Sequence, residues 1–212
     1  MAELRHVPPG RAGRRWLRER LAGARRAADL LDRKLRVLRA ERDRLARLAD
    51  QTAAHWASAY RQAELWMVRA ELLGGERELA LCALPGQARV SVDWAVLMGL
   101  RYPTGATCQP AERDAGAHTP GTAALVEAGT AYRRALAAAV THAAAEAAHR
   151  AVTAEVAQTR RIQRSIARGR VPRLQDALRD LDARLEEAER AELVRLRWAA
   201  GHPTDPTQAV GP

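Results

Sequence analysis

The sequence predicts an all-α chain: a long antiparallel two-helix coiled coil, or helical hairpin, with a small β-hairpin and loop region between its arms. Three observations carry this reading. First, steps of four and three residues alternate along one seam, Leu17, Leu21, Ala24, Ala28, Leu31, Leu35, Leu38, Arg42, Leu45, Ala49, Thr52, Trp56, Ala59, Ala63, Trp66, Ala70 and Leu73. Only Arg42 and Thr52 are neither small nor apolar there, and a 4,3 repeat held this long is the coiled-coil signature. Second, no proline interrupts the stretch between Pro9 and Pro85. Third, aromatic residues make up 4% of the chain and Phe is absent, whereas a large globular core ordinarily draws on both. A helix of this length, about 85 Å at 1.5 Å per residue, has no core of its own and needs a partner helix, which the second half of the chain supplies.

Taken in order, residues 1–10 end in Val7-Pro8-Pro9-Gly10, which cannot be helical and predicts a flexible tip. Helix one is expected over 11–73, ended by the Gly74-Gly75 pair. Its outer positions carry i,i+4 pairs such as Asp29 with Arg33 and Asp32 with Arg36. The region 74–121 is read as a short helix over Glu76 to Leu84, then a strand in which Val90, Val92, Trp94 and Val96 alternate with Ser91, Asp93 and Ala95. That alternation predicts a half-buried strand in a hairpin. From Tyr102-Pro103 to Thr122 the chain is rich in Pro, Gly, Thr and Ala and reads as an irregular loop.

Helix two is expected over 122–200, with a break or kink at Gly169-Arg170-Val171-Pro172. Its first part is dominated by alanine, namely Ala135, Ala137, Ala138, Ala139, Ala143, Ala144, Ala145, Ala147, Ala148 and Ala151, and would face the Trp56 and Trp66 end of helix one, large against small. Beyond Pro172, Leu174, Leu178, Leu181 and Leu185 would face the leucine-rich start of helix one. Residues 201–212 read as a disordered tail.

The formal net charge is +10, which suits nucleic acid, an anionic surface or an acidic protein socket. Its distribution is uneven. Arg11 to Leu48 holds 14 Lys or Arg against five Asp or Glu, Arg160 to Trp198 holds 11 against seven, and Asp50 to Thr122 is slightly acidic. Cys82 and Cys108 are too few for a disulfide framework or a zinc site and read as reduced thiols. No apolar run approaches the roughly 18 residues a membrane span needs, and no signal-peptide region is seen, so a soluble intracellular protein is expected. Gly10-Arg-Ala-Gly13-Arg-Arg has neither the spacing nor the Lys-Ser of a phosphate-cradling loop. Glu146-Ala-Ala-His149, with His142 a turn earlier, has half of a di-iron bundle motif and no second copy. No cofactor, metal or catalytic residue is therefore expected. A basic coiled-coil nucleic-acid-binding protein is the alternative, weakened by interleaved acids and few aromatics for stacking.

Three separated motifs give the chain a resemblance to a known family. Leu17-x3-Leu21-x2-Ala24-x2-Ala27-x2-Leu30-Leu31-x2-Lys34 is similar to the N-terminal signature of the D subunit of V-type (A/V-type) ATPases and ATP synthases, with Ala27 where Gly is usual. Val96-Leu97-Met98-Gly99-Leu100-Arg101-Tyr102-Pro103 resembles the segment between that family's helices. Val171-Pro172-Arg173-Leu174, Leu185-Glu186-Glu187-Ala188-Glu189-Arg190-Ala191-Glu192 and Arg195-Leu196-Arg197 resemble its C-terminal stretch. The region Arg164-Ser165-Ile166-Ala167 and the loop Gly105 to Gly121 depart from the family pattern.

The resemblance implies a non-catalytic central rotor shaft. It would stand inside a hexamer of A and B subunits, be clasped by the F subunit, and rest on a funnel subunit above the membrane ring. No nucleic acid and no direct membrane insertion are implied, and the place is the cytoplasmic face of the membrane, peripheral to it. Rotation would couple ATP turnover to proton or sodium movement. Such a shaft is expected to lack sticky apolar patches and to meet the hexamer through charge, here Arg14, Arg15, Arg18, Arg25 and Arg26, which lie off the seam.

The antiparallel register places Leu73 against Leu125, Trp56 opposite His142 and Leu17 against Leu181. Cysteine pairs introduced at such positions should cross-link within one chain. Bridging only between two chains, or only at sites far off this register, would rule the register out.

Overall fold

The computed structural model describes residues 7–82, 86–111 and 119–201. Their order is α1 (Gly10–Cys82), β1 (Arg89–Leu97), β2 (Leu100–Gln109), α2 (Ala123–Ser165), a π-helical turn (Ile166–Arg170) and α3 (Val171–Gly201). The fold class is the expected one: two long helical stretches with a two-stranded antiparallel hairpin between them in sequence. Two compact units share α1, one of residues 33–159, the other of 1–32 with 160–212.

In the unit of residues 33–159, α1 and α2 run antiparallel. Leu35, Leu38 and Leu45 of α1 meet Ala148, Val152 and Val156 of α2, with Tyr102 of β2 closing the cluster. Burying a leucine fully is worth about 1.5–3 kcal/mol, and Leu38 and Val152 are both 0% exposed. Farther along, Ala63 packs on Ala131 and Ala135, and Ala70 on Ala124, Leu125 and Ala128. Alanine on alanine releases little apolar area. What it permits is close approach of the two backbones, so that many weak dispersion contacts add up.

Two seam expectations are corrected here. Trp56 is 38% exposed, because an indole opposite a helix of alanines lies along the surface instead of entering it. Leu73 is 69% exposed, since α2 begins only at Ala123 and its first buried residues already meet Ala70. Gly75 then leaves the helical region (φ 68, ψ 174), a conformation open chiefly to glycine, and helical turns resume to Cys82.

The hairpin uses a two-residue turn in which Met98 (φ 51) and Gly99 (φ 83) both have positive φ, the backbone twist that tight hairpins favour. A bulge between Asp93 and Trp94, where Trp94 pairs with Pro103, lets proline sit in β2. Leu100 to Gln109, read mostly as irregular loop from sequence, is thus a strand. Residues 112–118 of that loop lie outside the described residues.

The face of β1 also differs from expectation. Val90, Val92, Trp94 and Val96 are exposed, while Ala95, Leu97 and Leu100 pack on the α1/α2 cluster. Pairing explains it. Leu97 stands opposite Leu100 and Ala95 opposite Tyr102, so the ribbon buries the face on which both strands contribute.

In the unit of residues 1–32 with 160–212, Leu17, Leu21 and Ala24 of α1 bury against Leu174 of α3, supported by Ala177, Leu178 and Leu181. Arg11 donates to Glu189 at 3.1 Å and Arg14 lies 2.8 Å from Asp182 in an ion pair, so this pair is antiparallel too. Val7, assigned by sequence to a trailing tip, packs on the same cluster. It can do so because Gly13 has no side chain: a Cβ there would lie 2.0 Å from the Pro8 carbonyl oxygen. Residues 1–6 and 202–212 lie outside the described residues.

No break separates α2 from α3. The Val171 amide donates to the Ile166 carbonyl five residues back, the π pattern, and Pro172 falls in the first turn of α3, where its missing N–H costs least.

Leu38→Ala should lower stability by about 2–5 kcal/mol, read in urea unfolding, the cost typical of an emptied leucine site. Gly169→Ala should raise it by up to about 1 kcal/mol, since alanine is the better helix former and its Cβ would meet no atom within 4 Å.

Candidate functional surfaces

Three side chains hold the hairpin to α1. Tyr102 is buried, and its hydroxyl donates to Glu41 Oε1 at 2.9 Å. Arg44 grips the same carboxylate with both ends of its fork, Nε to Oε2 at 2.9 Å and Nη2 to Oε1 at 2.6 Å. The i,i+3 spacing on α1 puts Glu41 and Arg44 on one side, and the Tyr102-Pro103 strand delivers the phenol. Hydrogen bonding from Arg44 holds the Glu41 carboxyl below its ordinary value; burial opposes this and the Tyr102 hydroxyl adds to it. Burial, then the neighbouring Glu41 carboxylate, push the Tyr102 phenol up. Sequence inspection singled out Tyr102 only as part of a motif. The partner lies 61 residues away, and nothing local pointed to it.

A second juxtaposition involves His142. Its ring stacks on Trp56 with centroids 5.7 Å apart and planes 16° from parallel, and its Nδ1 lies 3.2 Å from Thr52 Oγ1. The Thr52 hydroxyl proton is directed at the Leu48 and Ala49 carbonyls, 2.9 and 3.0 Å away. Glu146 accepts from Arg150 at 2.8 Å. The Glu146, His149 and His142 set is thus partly committed to other partners, and among the described residues no three His, Cys, Asp or Glu side chains converge as a metal site.

The basic residues expected to face a hexamer divide in two. Arg14 is half-buried and bound to Asp182, and Arg15 bonds Glu19 at 2.9 Å. Arg18, Arg25 and Arg26 are exposed and make no ion pair with a described residue. Of the seam residues, Leu17, Leu21, Ala24, Leu35, Leu38 and Leu45 are buried, and Leu31 and Trp66 are half-buried. Cys108 is a free thiol.

The expectation of no apolar patches does not hold. Besides the outer face of β1, Leu193, Val194, Leu196 and Trp198 near the end of α3 are all more than half exposed. No described helix is long and apolar enough to cross a membrane.

With α1, the hairpin, α2 and α3 placed, comparison with known proteins gives one result. A sequence model for the D subunit of ATP synthase matches residues 15–201, from the first turns of α1 to the last residue of α3. The chain belongs to the ATP synthase D-subunit family. No curated protein matches it. Family membership makes this D-type chain a stalk component of a rotary ATPase. The Tyr102 anchor lies inside the matched span, as does every basic residue named above except Arg11 and Arg14.

Because the Glu41 carboxyl ionises more readily folded than unfolded, its contribution is fully present above its ordinary value of about 4.5 and is lost as pH falls through the depressed folded value. Tyr102→Phe should cost about 0.5–1.5 kcal/mol at neutral pH, the worth of one hydrogen bond. Glu41→Gln should flatten the acid limb of a stability-versus-pH curve. An unchanged limb would show that Glu41 is not the group responsible.

Proposed function

We propose that the chain is the non-catalytic central rotor shaft, the D subunit, of a V-type ATPase or ATP synthase, and that its rotation couples ATP hydrolysis or synthesis in an A/B hexamer to proton or sodium transport. The supporting observation is the family match running nearly the full length of the helical part. The physical reading agrees with it. Torque transmission asks for long, laterally stiff elements, and the part of α1 before Gly75 and the 43 residues of α2 are such elements. The proposed partners are the A and B subunits, the F subunit, and the funnel subunit that joins the stalk to the membrane ring. The proposed place is the cytoplasmic face of the membrane, without insertion into it.

The hexamer-facing surface proposed from Arg14, Arg15, Arg18, Arg25 and Arg26 is refined by their surroundings. Arg18, Arg25 and Arg26 are the members with charge to offer a partner, whereas Arg14 and Arg15 already answer Asp182 and Glu19. A bearing held by single exposed pairs, each worth about 0–1 kcal/mol, can release and re-form them as the shaft turns.

The purified chain alone should hydrolyse no ATP and bind no nucleotide by calorimetry. Mixed with the A/B hexamer, it should assemble and stimulate turnover. Reversing Arg18, Arg25 and Arg26 together to Glu should weaken assembly with helicity unchanged, while each single reversal is nearly silent. Nucleotide binding by the isolated chain, or failure to assemble, would refute the shaft reading.

A further inference from the structure

The chain has one lysine, Lys34, against 34 arginines. That lysine crosses from α1 to α2: its Nζ donates to Glu155 Oε1 at 2.6 Å, with 27% of the Lys34 side chain and 22% of the Glu155 side chain exposed. The same oxygen accepts from the Thr159 hydroxyl at 3.2 Å, one turn on along α2, and Thr159 is itself buried. Next to the pair in sequence stand Leu35 and Val156, both in the buried cluster that also holds Leu38 and Val152. Lys34 and Glu155 therefore sit at the edge of the seam, half-withdrawn from water, with the carboxylate held from two sides.

The apolar seam specifies longitudinal register only weakly. Buried Ala124, Ala131, Ala138 and Ala145 of α2 recur every seven residues, and Leu31, Leu38 and Leu45, like Ala63 and Ala70, repeat at the same spacing on α1. A slip of one heptad, about 10 Å of helix, sets alanine against a small or apolar residue again along most of this face. The Tyr102 hydroxyl offers no brake, because it bonds α1 alone. Charge discriminates where the seam does not. A slip in one direction would bring Glu155 opposite Glu41, and in the other opposite Ala27. The first sets like charges against each other. The second leaves a half-buried carboxylate and a half-buried ammonium unanswered, and breaking such a pair is costly even where the pair itself adds little.

We propose that Lys34 and Glu155, with Thr159 steadying the carboxylate, are positioning residues that pin α1 and α2 in one longitudinal register while the shaft is under load. This role rests on the shaft reading above. Twisting a pair of helices loads them in opposite senses along their common seam, so a seam free to slip would dissipate rotation that has to reach the far end. A charged pair at the edge of the seam opposes slipping without adding bulk between the alanine faces. Polar groups at core positions of coiled coils fix register at a cost in stability, and a half-buried ion pair gains little over apolar side chains of the same volume, so alignment is what this pair supplies. Lysine suits the place, since it carries a compact charge on an apolar stem that can lie along the seam.

The test compares the full chain as wild type, K34M/E155L, K34E and the charge swap K34E/E155K, each with Cys82 and Cys108 replaced by alanine and one reporter pair of cysteines added. A63C/A135C reports the register of the structure, in which Ala63 and Ala135 share a buried cluster, and A63C/A128C and A63C/H142C report a slip of one heptad in either direction. K34M/E155L is expected to keep its helicity and its urea midpoint, because apolar replacements of a half-buried pair are often neutral. Its slipped cross-links should nonetheless rise about tenfold over the wild type, the bias that one coupled pair supplies. K34E should slip likewise, and the charge swap should restore the single register. In the assembled membrane complex, K34M/E155L should hydrolyse ATP as the wild type does and move fewer ions per ATP. Wild-type cross-linking in K34M/E155L and K34E would overturn the pin whatever their stability, since a pair that only stabilises moves the urea midpoint and not the register. Should K34M/E155L fold poorly, K34E and the swap decide, and a swap that fails to restore the register lost in K34E overturns the pin. Slipped cross-links with ions per ATP unchanged would overturn its role under load. If the wild type does not assemble with the A/B hexamer, the shaft reading fails, while the cross-links still decide whether the pair sets the register.

Discussion

Neither long helix can cover its own apolar stripe, and the rest of the structure depends on that constraint. A helix as long as the part of α1 before Gly75, with one narrow seam, gains nothing from length until a second helix lies along it. The two units meet the need differently. Leu17 and Leu21 meet Leu174, Leu178 and Leu181 in one. In the other, Leu35, Leu38 and Leu45 give way along α1 to Ala63 and Ala70, opposite a face of α2 built almost wholly from alanine. Leucine clusters stabilise through area removed from water. Alanine faces stabilise through proximity, and they tolerate no enlargement, because an added methylene has nowhere to go.

A two-stranded ribbon is marginal by itself in water, so this one must be held. It gives its Ala95, Leu97, Leu100 and Tyr102 face to the helix pair and adds one charged fixture. The Tyr102, Glu41 and Arg44 trio works because the carboxylate receives the phenol and both arms of the fork. The consequence is an outer ribbon face of Val90, Val92, Trp94 and Val96 open to solvent, with Arg101 lying over the Trp94 ring at 4.6 Å. A stalk assembled from several chains has use for surfaces of this kind.

Charge follows a different logic from apolar burial. Some pairs fix helix to helix, as Lys34 with Glu155 at 2.6 Å and Arg14 with Asp182 do, and others line a single helix face, as Arg15 with Glu19 and Arg150 with Glu146 do. Other arginines, Arg18, Arg25 and Arg26 among them, are exposed and make no ion pair with a described residue.

Periodicity and punctuation in the sequence determined the architecture. The 4,3 repeat, the absence of proline from 10 to 84, the Gly74-Gly75 pair and the alanine-rich second helix led to the fold class and to the contact of Trp56 with His142. Three motifs led to the family. These were legible because each is a local spacing rule or a composition. Only the tertiary structure decided which face of the β-hairpin turns inward, since alternation in β1 is symmetric until β2 contributes its own apolar residues. It likewise decided that the helix passes through a π turn at Ile166–Arg170, and that Leu73 stays largely uncovered. Tyr102 reaching Glu41 depends on which side chains meet across long stretches of chain, and no spacing rule contains that information.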